Sequence, residues 1–371
     1  MPDDPAIDAR SGVVRLLTLL PALTIVAVIV CDLTVGPSVV FGLVVVAPIL
    51  ASNVTGPTTT GGYGLAALAA AVALGIQDDV YRPGDQLTAQ LVRLGAIVLM
   101  TAAAVLMARN RLLRESRLAR MTAVAEVAQR TILPITPDRV GPARIAVHYE
   151  SATSDALVGG DMYATALTPH GLRILVGDVR GKGLDAVRLA AQVLAAFRER
   201  ADDEVDLGAL LDHLDRAVTR SAAEEDFVTA VVAQLGDDGA LTAVIAGHPP
   251  PLLLSGGKVR ALEPRETQVP LGLGRSGLGA TVPVMLDPGD RLLFYTDGLT
   301  EARDPRTGTF LPYDVIARAL TDLPAVEDSL ATLRDNAVNW TRGTLHDDIA
   351  LLLVEYAPIA ERTSTLTSSW P

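Results

Sequence analysis

Residues 172–183 read LRILVGDVRGKG, an apolar run that ends at Asp178 and is followed by a glycine-rich turn. Other apolar runs meet acidic residues in the same way: LLFYT is followed by Asp297, and IALLL is preceded by Asp347 and Asp348. In LVGGDMY an aspartate follows two glycines. Short apolar runs bounded by Gly and Asp are typical of strands, so this pattern predicts carboxylates held at strand ends.

The second half of the chain mixes strand-like and helix-like patterns. Six short apolar segments are predicted strands: ARIAVHYE, LRILVGDV, FVTAVVAQL, ALTAVIAG, RLLFYTDG and DIALLLVEY. Three longer amphipathic segments are predicted helices: GLDAVRLAAQVLAAFRER, DLGALLDHLDRAV and AVEDSLATLRDNAVNW. This content indicates an α+β domain.

Acidic clusters from such distant positions meet only if their strands are neighbours. Several carboxylates at one place repel one another, at a cost on the order of several kcal/mol that multivalent cations can offset. Oxygen donors without nearby Cys or His favour Mg²⁺ or Mn²⁺ over zinc. A single Asp-Gly at a strand end is more often a turn, so the metal-site prediction depends on the combination.

The motifs VGGDMY, GDVRGKG, AGHPPPLLL, PLGLG, DPGDRLLFYTDGLTEARD and LHDDIALLLVEY follow one another along the chain. Their order and spacing resemble the stage II sporulation E-like branch of metal-dependent serine/threonine protein phosphatases of the PPM type. The resemblance covers residues 132–356. It implies an α/β/β/α sandwich, two antiparallel sheets flanked by helices, with a dinuclear metal site at one end.

The resemblance also implies roles for individual residues. Asp178 would bridge two Mn²⁺ or Mg²⁺ ions, with the carbonyl of Val179 as an added ligand. Asp161 would bind one ion, and Asp297 would bind the other together with an aspartate of the HDD motif. Two cations roughly 3.5–4 Å apart can hold a hydroxide and neutralise phosphoryl oxygens, so no protein nucleophile is needed.

The HDD motif offers two candidates, and Asp347 matches the ligand position of the family better than Asp348 does.

The chain departs from the family elsewhere, since residues 162–164 read MYA where the family often has Phe-Tyr-Asp. The missing aspartate removes a group that could support the ligands, but every candidate ligand is present. His248 in AGHPPP is interpreted as stabilising a loop, with general acid catalysis as the alternative.

The activity implied is that of a protein-serine/threonine phosphatase acting on a phosphorylated cytoplasmic regulatory protein of the anti-sigma-factor antagonist type. The alternative is a catalytically silent membrane signalling scaffold that retains the fold. Aspartates present in all four clusters favour the enzyme, because a scaffold does not need them. A net charge of −12 and 4% aromatic residues argue against a nucleic-acid partner.

The chain before Arg109 is dominated by Leu, Val, Ala and Ile. A span needs about twenty apolar residues, and four apolar runs predict about four membrane helices, although the third run is short and Ala-rich. The runs are residues 13–30, 37–50, 64–76 and 91–107.

Arginine placement predicts the orientation. Five arginines in RNRLLRESRLAR follow the last run, and Arg10 and Arg15 precede the first. The positive-inside rule therefore places both flanks in the cytoplasm, which requires an even number of spans. We expect a multi-pass protein of the cell membrane with its N-terminus and phosphatase domain in the cytoplasm.

A helical connector is predicted after the last span, because residues 109–132 contain no Gly or Pro. A stripe of apolar residues recurs at alternating intervals of three and four: Leu118, Met121, Ala125, Ala128 and Ile132. The stripe allows a homodimer through the connector, or a single helix lying on the domain or on membrane lipid. The predicted boundaries are 1–108 for the transmembrane domain, 109–140 for the connector, 141–357 for the phosphatase domain and 358–371 for a flexible tail.

Overall fold

The computed structural model describes residues 5–35, 43–150, 159–223, 225–266, 268–274 and 281–358. The chain folds into two compact units, Met1–Arg120 and Met121–Pro371. The predicted tail lies outside the described residues apart from its first position.

The first unit is helical. Its helices are α1 (Pro5–Val35), α2 (Val46–Val54), α3 (Pro57–Gln77) and the first part of α4 (Asp85–Ile132). Small residues lie where helices meet, since a Cβ on Gly64 would lie 2.0 Å from Thr101 Cγ2. Large apolar side chains point outward instead: Leu65 is 70% exposed and Leu99 is 69% exposed. Small residues inside and large apolar residues outside are typical of helices that pack in lipid.

Three described helices are long and apolar enough to cross a membrane: Leu17–Thr34, Pro57–Gln77 and Gln86–Ile132. The third predicted run, which the sequence suggested was marginal, is part of one of them. The second predicted run is not among them, because residues 36–42 lie outside the described part and Leu43–Val54 is a shorter apolar helix. The described residues therefore supply three candidate spans, where the sequence predicted about four.

The described residues of the second unit form eleven strands and, after α4, five helices. The strands are β1 (Arg139–Val140), β2 (Ala143–Glu150), β3 (Met162–Thr168), β4 (Gly171–Val179), β5 (Val228–Leu235), β6 (Ala240–Ala246), β7 (Leu252–Ser255), β8 (Lys258–Ala261), β9 (Thr281–Met285), β10 (Arg291–Tyr295) and β11 (Ile349–Tyr356). The helices are α5 (Leu184–Arg200), α6 (Leu207–Thr219), α7 (Asp297–Thr300), α8 (Tyr313–Thr321) and α9 (Val326–Trp340).

The strands form two antiparallel sheets. One has six strands in the order β1-β2-β11-β10-β7-β8, and the other has five in the order β3-β4-β5-β6-β9. Helices α5 and α6 pack on the five-stranded sheet, and α8 and α9 pack on the six-stranded sheet. The predicted α/β/β/α sandwich is therefore confirmed.

Both faces of the central strands are buried. In β4, Leu172, Ile174 and Val176 belong to the core between the sheets, whereas Leu175 and Val179 belong to the core under α5 and α6. A strand buried on both faces reads as a continuous apolar run, and this explains why these strands were visible in the sequence.

The predicted strands are found as β2, β4, β5, β6, β10 and β11, and the predicted helices as α5, α6 and α9. The predicted end of the strand RLLFYTDG is wrong by three residues, because the strand ends at Tyr295. Thr296 then caps α7, which begins at Asp297, so this carboxylate lies on a helix N-terminus directly after the strand.

Candidate metal centre

The candidate residues lie where the ends of the two sheets approach each other. Asp161 directly precedes β3 and Asp178 is the penultimate residue of β4. Met162 pairs with Gly177 in the antiparallel register, so Asp161 comes opposite Asp178. Asp297 follows β10, whose partner strand β11 is preceded by the two aspartates of the HDD motif.

Two glycines allow the chain to enter this region. The amide of Gly159 donates to Asp348 Oδ2 (3.0 Å), and a Cβ on Gly159 would lie 2.7 Å from the same oxygen. A Cβ on Gly160 would lie 2.6 Å from the carbonyl oxygen of Val179. Side chains at either position would therefore collide with the site, and the glycine pair is what lets Asp161 lie between the two sheets.

The N-terminus of α7 also packs closely, in this case against the backbone of the HDD motif. A Cβ on Gly298 would lie 2.0 Å from the carbonyl oxygen of Asp348. The buried Thr296 hydroxyl donates to Asp161 Oδ2 (2.7 Å) and accepts from the amide of Ala350 (2.9 Å). Thr296 therefore connects a carboxylate of the five-stranded sheet to the backbone of the six-stranded sheet.

The carboxylates perturb one another. Burial raises the pKa of Asp161 well above its usual value, and the charge of Asp178 adds to this effect. Burial also raises the pKa of Asp178, followed by the charge of Asp297 and, more weakly, those of Asp347 and Asp348. Negative charge at this place is therefore unfavourable in the absence of cations.

The neighbours Asp347 and Asp348 have different surroundings. The half-exposed carboxylate of Asp347 forms a salt bridge with Lys182 Nζ (2.9 Å). Asp348 is 2% exposed, and its Oδ2 accepts from the hydroxyl of Tyr149 as well as from Gly159. Burial and the charge of Asp348 raise the pKa of Tyr149, so the tyrosine keeps its proton and remains a donor.

Among the described residues, no three His, Cys, Asp or Glu side chains are already arranged as ligands of one metal ion. Two of the candidate carboxylates have protein partners, because Thr296 binds Asp161 and Lys182 binds Asp347. The chemistry of the donor set nevertheless fits Mg²⁺ or Mn²⁺, since it consists of carboxylates that repel one another and a backbone carbonyl.

His248 joins the two sheets beside this cluster. Its Nε2 lies 3.1 Å from the carbonyl oxygen of Tyr295, which can only accept, so Nε2 carries the proton. Its Nδ1 then accepts from the Thr229 hydroxyl (2.9 Å). Burial lowers the pKa of His248 to about 4, and the imidazole is neutral at pH 7. Two occupied nitrogens fit the loop-stabilising interpretation better than general acid catalysis.

Sequence reasoning missed three residues that hold the site: Tyr149, Thr296 and Gln129. Gln129 is buried near the end of α4, and its Nε2 donates to the carbonyl oxygen of Asp161 (3.2 Å). The sequence holds little signal for this amide, because AVAEVAQRTI also contains Glu126, Arg130 and Thr131, and only the fold shows which of these polar residues is buried.

Comparison with known proteins adds independent information. A family model described as Stage II sporulation protein E (SpoIIE) matches residues 168–357. The phosphoserine phosphatase RsbU of Bacillus subtilis (strain 168) is 23% identical over 200 residues, which cover 53% of this chain and 59% of that protein. The chain thus spans less than two thirds of the length of this relative.

A solved structure agrees on the fold. The SiaA-PP2C domain of Pseudomonas aeruginosa aligns with a TM-score of 0.54 at 20% identity, covering 66% of this chain and 98% of that domain. The RsbU and RsbW domains of a Mycobacterium tuberculosis protein align at 31% identity with a TM-score of 0.49, covering 59% of this chain and 63% of that one.

Proposed function

The chain belongs to the stage II sporulation protein E family, and from this premise we propose that it is a membrane-anchored, metal-dependent phosphoprotein phosphatase. Its substrate is phosphoserine or phosphothreonine on a cytoplasmic regulatory protein. The observation that carries the proposal is the cross-strand placement of Asp161 and Asp178, whose charges interact with that of Asp297, which follows β10 of the other sheet.

We assign the ligand roles to Asp161, Asp178, Asp297 and Asp347, with the carbonyl of Val179 as a further donor. The half-exposed carboxylate of Asp347 supports this choice over Asp348, whose Oδ2 already accepts two hydrogen bonds. Two Mn²⁺ or Mg²⁺ ions, when bound, would supply the activated water and neutralise the phosphoryl oxygens.

The chain's own residues prepare this site. Thr296 fixes one oxygen of Asp161 and leaves the other for a cation. Tyr149 and Gly159 fix Asp348, which holds the start of β11 and therefore the position of Asp347. Lys182 Nζ contacts Oδ1 of Asp347 and leaves Oδ2 for a metal ion, and its ammonium group lies beside the site for an anionic substrate.

The type of substrate is supported by the relatives. The B. subtilis protein RsbU is a phosphoserine phosphatase by name. The segment that matches the family model, residues 168–357, includes Asp178, Asp297 and the HDD motif and begins after Asp161. We propose a partner of the anti-sigma-factor antagonist type, as the family resemblance implies. A partner protein rather than a nucleic acid also suits a chain with a net charge of −12.

Membrane anchoring is supported by the three apolar helices of the first unit. We propose that the protein is a multi-pass protein of the cell membrane, with its arginine-rich connector beside anionic lipid headgroups and its phosphatase domain in the cytoplasm.

The end of the connector packs on the phosphatase domain, which is one of the arrangements that the sequence allowed. Ala125 is buried against Val187 of α5, and Ala128 and Ile132 pack on the same cluster. Met121 is more than half exposed. We propose that the last turns of α4 dock on the phosphatase domain, while the preceding turns remain available to pair with a second copy.

The test is phosphate release by the full-length protein in detergent micelles, with phosphoserine and phosphothreonine peptides and with Mn²⁺, Mg²⁺ or chelator. We expect release only with a divalent cation, and a loss of at least about 100-fold in Asp297→Asn. Asp335→Asn, in which an exposed carboxylate near Arg334 is changed, is the control and should keep full activity. A folded protein that releases no phosphate under any condition would favour the silent scaffold.

A further inference from the structure

One buried carboxylate of the helical unit has no part in the proposed phosphatase reaction. Asp32 lies near the end of α1 and is 3% exposed. Neither of its carboxylate oxygens has a hydrogen-bond partner among the described residues. An unpaired carboxylate is costly in a low-dielectric environment, and such residues within membrane helices commonly mark a functional site.

Two other charged groups interact with Asp32. Asp78, the C-cap of α3, and Arg93 of α4 both act on the carboxylate of Asp32 through their charges. Three helix segments therefore bring two carboxylates and one guanidinium together at one end of the helical unit.

A buried amide lies on the same face of α4, one turn before Arg93. The side-chain Nε2 of Gln90 donates to the carbonyl oxygen of Ala71 (3.0 Å) and to the Tyr81 hydroxyl (3.3 Å). Its Oε1 is buried and has no hydrogen-bond partner in the described part of the chain. A Cβ on Gly75 would lie 2.6 Å from Gln90 Nε2, so close packing against α3 fixes this amide.

The chemistry of this cluster is that of a cation site. The charges of Asp32, Asp78 and Arg93 sum to −1, and the unpaired groups are all oxygens. We propose that the Asp32 cluster binds one monovalent metal cation through carboxylate and amide oxygens. A single positive charge neutralises the cluster, whereas a divalent ion would leave a net charge of +1 in a medium of low dielectric constant.

The position of the cluster indicates from which side the cation enters. Arg93, the residue of the cluster on α4, precedes the first of the arginines, Arg109, by 16 residues. At 1.5 Å per residue this separation is about 24 Å, which is most of the apolar thickness of a membrane. The cluster therefore lies in the half of the membrane opposite the arginines, within reach of cations that enter from the extracellular side.

The test measures unfolding of the helices in the full-length protein in detergent micelles, by circular dichroism at constant pH and ionic strength. NaCl or KCl replaces choline chloride, whose cation is too large for the site. We expect one alkali cation to raise the unfolding temperature saturably by about 5 °C. Asp32→Asn should abolish this rise, and Asp78→Asn should abolish or reduce it.

The matched control is Asp79→Asn, which changes an exposed carboxylate paired with Arg82 next to the cluster and should keep the full cation effect. The proposal is overturned if Na⁺, K⁺ and choline give the same unfolding temperature for the unmodified protein. It is also overturned if Asp32→Asn keeps the rise, or if lowering the pH stabilises the protein equally with every cation, because a proton then occupies the pair. The comparison of cations on the unmodified protein decides the matter even if Asp32→Asn fails to fold.

Discussion

The helical unit and the two-sheet unit place their apolar side chains in opposite ways. Leu65 and Leu99 of the helical unit project outward, whereas Leu293 and Leu353 of the two-sheet unit are fully buried. The sandwich therefore forms its own core, whereas the helices have an apolar outer surface, which is typical of helices that pack in lipid.

Buried carboxylates show the same contrast. Asp161 in the sandwich accepts a hydrogen bond from Thr296, and its backbone carbonyl accepts one from Gln129. Asp32 in the helical unit has no such donor among the described residues. The candidate metal centre is held by protein groups before any metal binds, whereas in the Asp32 cluster the proposed cation would supply the compensation that protein donors do not.

The largest effect is expected for reporters that distinguish the two sides of the membrane. A cytoplasmic reporter fused after Arg120 should be active and an exported reporter inactive, and both results should reverse for fusions after Arg82. A reporter at the N-terminus decides between three spans and four, because an odd number places the N-terminus outside. An active exported reporter after Arg120 would contradict the proposed orientation.

The next largest effect is expected for Gly298→Ala in the sandwich. Its Cβ would lie 2.0 Å from a backbone oxygen that cannot move without displacing β11, so we expect a loss of about 4 kcal/mol or more. Urea unfolding followed by the fluorescence of Trp340 measures this. In the control Gly236→Ala the close contact of the new Cβ is Oδ1 of Asp238 (2.6 Å), the end of a side chain that can rotate away at the cost of its hydrogen bond with the Ala240 amide. Equal stability of the two variants would show that Gly298 does not pack closely against the carbonyl oxygen of Asp348.

His248 should make the stability of the sandwich sensitive to acid. Because its folded pKa of about 4 lies below its ordinary value of 6.5, the unfolded chain binds the proton more readily. The contribution of neutral His248 to the free energy of unfolding is fully present above pH 6.5. It is lost as the pH falls towards 4, by up to about 3 kcal/mol. In urea unfolding between pH 7 and 4, His248→Gln should lose stability less steeply than the parent protein. His170→Gln is the control, and identical slopes for all three proteins would refute this role.

A smaller effect is expected at the contact between α4 and the site. Gln129→Leu removes the donor to the carbonyl oxygen of Asp161 and should cost about 1–3 kcal/mol of stability. It should also raise the Mn²⁺ concentration needed for half-maximal activity by about tenfold. Thr131→Val, on the exposed side of the same helix, should change neither quantity. An unchanged Mn²⁺ requirement in Gln129→Leu would mean that this contact only supports packing.

The sequence revealed the elements whose burial dominates their pattern. β4 and β11 were predictable because both faces are buried, and the acidic residues at their ends identified Asp178, Asp347 and Asp348. β9 was missed because it is an edge strand that alternates in exposure and contains Pro283.

Contacts that depend on tertiary neighbours left little signal. Nothing local indicates that Tyr149 binds Asp348 or that Thr296 binds Asp161, because each pair joins segments more than one hundred residues apart. The length of the third predicted span was underestimated for a local reason. The helix that contains it starts at Pro57, and its first turns hold Thr and Gly residues, which are not typical of a span.

The measurement that tests the central claim most directly is the phosphatase rate of the full-length protein against Mn²⁺ concentration, for the parent, Asp178→Asn and Asp161→Asn. Unfolding of the metal-free proteins is measured alongside. We predict that Asp178→Asn loses activity at every Mn²⁺ concentration while its metal-free form is at least as stable as the parent, because one repelling carboxylate is gone. Asp161→Asn should mainly need more Mn²⁺. Near-parental turnover by Asp178→Asn, or a loss explained by unfolding alone, would contradict a metal site built around Asp178.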